Sequence, residues 1–204
     1  FGTLRVLLPT AASYTDPVSR QRLQGDLYPV LFGTLLISMG SAWWTWLVWP
    51  GLVLWLVPLV RFAWPLVTSW RKHVWGWHRS SSSLGFAVLG LTVVLSAGSL
   101  HALALWPAVA TLQLFFLLFL FPLVTGAIGY LLPVWLWPGR DTSAYDKAAR
   151  RLAWGSGARM LVFFTAGTMT WIGISGGLYL AAGAVALFLL PVALTLQAYF
   201  LRKI

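Results

Sequence analysis

The sequence contains no cysteine and no glutamate. Without cysteine there can be no disulfide, no thiolate metal site and no haem attachment through paired cysteines. The four acids are Asp16, Asp26, Asp141 and Asp146, and all fall outside the long apolar runs. A proton or cation pathway through a bilayer ordinarily uses a carboxylate within it, and the sequence places none there. Charge of either sign is scarce, at 9% of 204 residues, where a soluble domain carries about 25%. Such a chain cannot cover a water-facing surface, so lipid must solvate most of it.

Apolar residues are abundant, at 59%. They cluster into six stretches, at about 28–49, 52–70, 84–106, 107–137, 152–175 and 178–201. The expected fold class is therefore all-α. It is a polytopic membrane protein with a bundle of six transmembrane helices arranged as three hairpins. Residues 1–27 read as an N-terminal cytoplasmic or interfacial segment, and 28–204 as the six-span domain. Trp43, Trp44, Trp46 and Trp49 crowd the end of the first stretch, as in an aromatic belt at a membrane interface. The fourth stretch is long for a hydrocarbon core of about 30 Å, so it should tilt, kink or end early at Pro133. The chain opens on Phe1, and no signal-peptide pattern is recognisable.

Formal net charge is +10, and its distribution carries an orientation. Arg5, Arg20 and Arg22 precede the first stretch. Arg71, Lys72 and Arg79 lie between the second and third, and Arg140, Lys147, Arg150 and Arg151 between the fourth and fifth. Arg202 and Lys203 close the chain, and the alternate turns hold no charge. The positive-inside bias then puts both termini in the cytoplasm, most simply of a bacterial inner membrane. These basic residues flank spans and form no aromatic-interleaved patch, so they point to anionic lipid headgroups and away from nucleic acid.

Few residues can carry chemistry. His73, His78 and His101 are the only imidazoles. His73 and His78 are five apart, or roughly 140° around a helix, and His101 belongs near the opposite membrane face. The three cannot converge on one metal within the chain. His73 and His78 are candidate haem, metal or quinone contacts at a partner interface, or interfacial residues beside Trp75 and Trp77. Arg61 falls within the second stretch, where a central Arg costs from about 2.5 kcal/mol upward. Two readings stand. Arg61 meets an anion (a haem propionate, a lipid phosphate, a substrate carboxylate or an acid of another subunit), or Pro58 or Pro65 shortens the span and Arg61 snorkels to the surface. Arg159 is a second candidate for anion, lipid or partner binding, one or two turns inside the fifth stretch.

Gly173-Ile174-Ser175-Gly176-Gly177 matches the Gly-x-Ser-x-Gly pattern of serine hydrolases and resembles the Gly-x-Ser-Gly of rhomboid proteases. A rhomboid takes its base from a later helix, and no His follows residue 101 here. The glycines more simply make a turn. Gly126-Ala127-Ile128-Gly129 and Gly155-Ser156-Gly157-Ala158 are small-residue faces suited to close helix packing.

The run Gly126-Ala127-Ile128-Gly129-Tyr130-Leu131-Leu132-Pro133-Val134 resembles a motif of haem–copper oxidase subunit I-like membrane proteins. In that family a long helix carries spaced glycines and ends in a Tyr, Leu, Pro, Val run. The resemblance covers the fourth stretch alone. It implies a haem- or metal-binding His at the start of that helix, but the region around Gln113 has none. The implied protein has lost those ligands. The sequence thus leads to a non-catalytic integral membrane subunit of a larger, respiratory or electron-transfer complex. It would hold no cofactor of its own, and would meet haem, quinone or lipid only at a partner interface. Two alternatives remain: a small transporter for an anionic or neutral solute using Arg61, and a haem- or copper-binding membrane protein.

Overall fold

The computed structural model describes residues 2–13, 19–139 and 143–201. Phe1, Asp16, Arg140, Asp141, Arg202 and Lys203 lie outside the described residues, as do the side chains of Arg20 and Arg22. Every regular element among the described residues is helical. In order these are α1 (Gly2–Ala11), α2 (Ser19–Ala42), α3 (Val48–Val67), α4 (Arg71–Val74), α5 (Ser80–Ala102), α6 (Ala108–Leu114), α7 (Phe121–Leu136), α8 (Ser143–Ala153), α9 (Ser156–Trp171) and α10 (Gly176–Phe200).

Among the described residues, four helical stretches are long and apolar enough to cross a membrane: Thr45–Val67, Ser80–Ala102, Ala108–Leu136 and Gly176–Phe200. These make the chain an integral membrane protein by length and composition. The stretches expected as first and fifth spans correspond to α2 and α9, which do not meet that standard. α2 mixes Asp26 with Gly, Ser and Thr, and α9 has 16 residues.

Neighbouring helices pack antiparallel through small residues. Between α2 and α3, a Cβ added to Gly33 would lie 2.8 Å from the Gly51 carbonyl, and one added to Gly51 would lie 2.8 Å from the Gly33 carbonyl. Trp55 Nε1 donates to Thr34 Oγ1 across the same seam at 2.8 Å. Between α5 and α7, Gly126 meets Ser83 and Leu84, and Gly129 meets Ser80. The run from Gly126 to Gly129 is therefore the seam by which α7 approaches α5.

The fourth stretch begins after Pro107 and runs to Leu136, carrying a π-helical segment at Phe115–Leu120. Pro122 follows two residues after its end. It has no N–H for the regular ladder and its ring would crowd the carbonyl of Leu118. The wider turn relieves that clash. α5 approaches the same carbonyl so closely that a Cβ on Gly90 would lie 1.7 Å from it.

Two apolar cores result. One gathers Leu4 and Leu8 of α1, Leu59, Phe62 and Leu66 of α3, and Leu84 and Val88 of α5. The other gathers Leu117, Met160, Phe163, Ala166, Ala181 and Ala184. The N-terminal segment read as interfacial thus supplies two core leucines. The loop expected over 138–151 contains a helix, α8, with Ala144, Ala148 and Leu152 buried at four-residue spacing. Gly155, at φ +68°, breaks the chain between α8 and α9. Gly173, at φ +83°, turns it between α9 and α10.

Two of the four serines opening α5 build a corner. Ser81 Oγ donates to the Val74 carbonyl at 2.9 Å, and Ser82 Oγ to the Gly76 carbonyl at 2.7 Å. Arg79 donates to the carbonyls of Lys72 and His73, both at 2.8 Å. Ser156 Oγ donates to the Arg79 carbonyl at 2.8 Å, which ties α9 to that corner. A free terminus on α4 would otherwise leave these carbonyls without donors.

Candidate functional site: a charged cleft between α1, α2 and α3

The helix that carries Arg61 is not shortened at either proline. α3 continues through Pro58 and Pro65 to Val67. Thirteen residues separate Arg61 from the start of α3, or about 20 Å of rise. Asp26 lies sixteen residues before the end of α2, or about 24 Å from the same closed end. The antiparallel seam therefore brings the two to nearly one level. Arg61 Nη1 stands 3.9 Å from Asp26 Oδ1.

Asp26 is already engaged. Arg5 of α1 donates a charge-assisted hydrogen bond from Nη2 to Asp26 Oδ2, and both side chains are 7% exposed. The Arg5 guanidinium also lies over the Phe62 ring, 5.3 Å from its centroid. Phe62 in turn meets Trp70 edge to face at 6.5 Å. Sequence placed Asp26 beyond the apolar stretch, but it is buried two turns inside α2. The expectation that no acid offsets Arg61 is corrected accordingly: Asp26 does, while bound more tightly to Arg5.

The three charges line a cleft of about 650 Å³ with Trp64, Pro65 and Trp70. Among the described residues, two guanidiniums face the one Asp26 carboxylate. Arg5 is enclosed, whereas the Arg61 side chain is 72% exposed. Arg61 is therefore the guanidinium presented laterally, beside the exposed Trp64. In a low-dielectric surrounding, an unbalanced guanidinium attracts an anion far more strongly than in water. Arg5 and Asp26 were missed by sequence reasoning. The available signal was a charge at each edge of an apolar run, but nothing local says that α1 folds back onto α2.

The remaining candidates occupy other places. His73 and His78 do share a cleft, of about 440 Å³, with Arg79, Tyr130 and Tyr145. His78 Nδ1 accepts from the Gly155 N–H at 3.1 Å, and its ring stacks on Trp154 at 6.4 Å. A neutral His78 then carries its proton on Nε2. That tautomer donates to an oxygen acceptor; a metal-bound imidazole instead donates its second N–H to a protein group. His101 lies at the far end of α5, with Nδ1 2.8 Å from the Trp106 carbonyl. No three His or Asp among the described residues could hold a metal ion.

Arg159 stands on α9, away from Arg61. It donates to the carbonyls of Trp154 at 3.0 Å and Leu152 at 3.4 Å, at the end of α8, and covers the Phe188 ring at 4.5 Å. Comparison with family models, curated proteins and solved structures finds no match for this chain.

Proposed function

We propose that this chain is a six-span membrane subunit of a larger membrane complex, with no catalytic centre of its own. The observation that supports it is the shared Asp26: Arg5 takes the carboxylate, and Arg61 presents its guanidinium on the lipid-facing flank. A transmembrane helix of another subunit bearing an Asp or Glu would complete that cleft. Intramembrane charges of this kind pair with one another or line a pathway. The distribution of basic residues supports a bacterial inner membrane with both termini cytoplasmic. A respiratory or electron-transfer complex is the context that the oxidase-like α7 motif suggests.

The test is purification of the full chain from its native membranes in mild detergent. The expected result is an integral membrane polypeptide at fixed stoichiometry, lost in Arg61→Leu and kept in Arg61→Lys. A lone monodisperse chain overturns the reading. Transport of an anionic solute is the second reading, favoured by the open cleft at Arg61. Reconstituted flux abolished by Arg61→Leu would put it first. A Soret band lost in His73→Ala or His78→Ala would instead establish a haem protein.

A further inference from the structure

We infer that the trough between α8, α9 and α10 binds an anionic phospholipid, with its phosphate at the α8 end and an acyl chain along α10. The trough has a volume of about 1130 Å³. One wall runs along α10 from Tyr179 to Leu194, and the opposite rim carries Arg150, Arg151 and Arg159. Fifteen residues of helix make that wall about 22 Å long, on the scale of one bilayer leaflet.

Its polarity is graded along its length. Arg151 Nη1 donates to the Leu194 carbonyl at 3.3 Å, and Arg159 covers Phe188. The cations thus stand at the level of residues 188–194. From Leu187 back to Tyr179 the lining is apolar, and Leu187 and Tyr179 are exposed. Gly183 opens the floor, since a Cβ there would meet nothing within 4 Å.

Among the described residues, none of the three guanidiniums has a carboxylate partner. Arg150 and Arg151 donate to the carbonyls of Asp146 and Leu194. Arg159 donates to the two carbonyls at the end of α8, and its buried Nε has no hydrogen-bond acceptor. Carbonyl dipoles orient these groups without cancelling their charge. His78 lines the same rim, and its Nε2–H adds a neutral donor suited to a phosphate oxygen. Trp154, 71% exposed beside it, is placed as an interfacial anchor. A phosphate provides several acceptor oxygens for such a set, and planar guanidiniums meet them in pairs. A zwitterionic headgroup would bring its own cation into this cluster.

The experiment is native mass spectrometry of the full, delipidated chain in detergent. The probes are phosphatidylglycerol and phosphatidylcholine with identical acyl chains, and inorganic phosphate as competitor. Phosphatidylglycerol should bind at least about tenfold more tightly, and Arg150→Gln/Arg151→Gln should weaken it roughly thirtyfold. The control Arg71→Gln/Lys72→Gln removes the same charge elsewhere and should leave affinity unchanged. Gly183→Leu keeps every charge, fills the trough, and should weaken both lipids. Equal binding of the two lipids, an equal loss in the control, or no effect of Gly183→Leu overturns the proposal. Displacement of the lipid by millimolar inorganic phosphate alone also overturns it, in favour of a free-anion site.

Discussion

The α1–α3 cleft and the α8–α10 trough both collect arginine against an apolar wall, yet they handle the charge differently. In the cleft, an acid of the same chain is buried with Arg5 and half-satisfies Arg61. In the trough, backbone carbonyls hold Arg150, Arg151 and Arg159, and among the described residues no carboxylate pairs with them. An internal carboxylate fixes helices to each other, because its loss strands a charge. Carbonyl dipoles fix only the direction of the cation and leave its attraction available to an outside anion. The helix seams differ in step with this: α2 and α3 touch backbone to backbone at Gly33 and Gly51, whereas Gly183 of α10 faces open space.

The largest expected effect comes from Asp26→Asn. It removes the buried carboxylate to which Arg5 donates, at a cost of about 3–5 kcal/mol. Unfolding in detergent should show a sharply lower midpoint. The double variant Arg5→Met/Asp26→Asn should recover most of that loss, since an apolar replacement of the whole pair is often neutral. If Asp26→Asn behaves like wild type, the cleft is no more tied than the trough and the contrast fails.

A paired glycine substitution sharpens the second difference. Gly51→Ala drives a methyl against the Gly33 carbonyl and should cost about 1–3 kcal/mol. Gly183→Ala meets no neighbour and should be neutral or add up to about 1 kcal/mol through helix propensity. The same unfolding assay ranks them, and equal effects would mean that α10 packs as closely as α3. The smallest effect belongs to Arg61→Leu. Its side chain is largely exposed and stands 3.9 Å from an acid already held by Arg5, so stability should change by less than about 1 kcal/mol. A loss as large as that of Asp26→Asn would make Arg61 a structural member of the pair.

Hydropathy made the helices legible, because bilayer thickness imposes a length that composition alone reveals. The ends were less so: α8 was expected as loop although Ala144, Ala148 and Leu152 repeat at four residues, since its charged face dominates any average over that segment. The pairing of Arg5 with Asp26 was hidden for another reason. Twenty-one residues and a turn separate them, and only the packing of Leu4 and Leu8 into the α3–α5 core brings α1 back. Arg61 and Arg159 were visible as basic residues within apolar runs. What each one touches depended on neighbouring helices and was not.

The π-helical segment at Phe115–Leu120 works as a phase corrector. Thr111 faces Gly98, Leu118 faces Gly90 and Gly126 faces Leu84, so intervals of seven and then eight residues keep one stripe against α5. A regular helix would send the eighth residue about 80° off that stripe. The widened turn absorbs the odd residue. Deleting a single phenylalanine there would restore ordinary winding with an interval of seven residues, and would therefore leave Gly126 and Gly129 facing the serines they now meet.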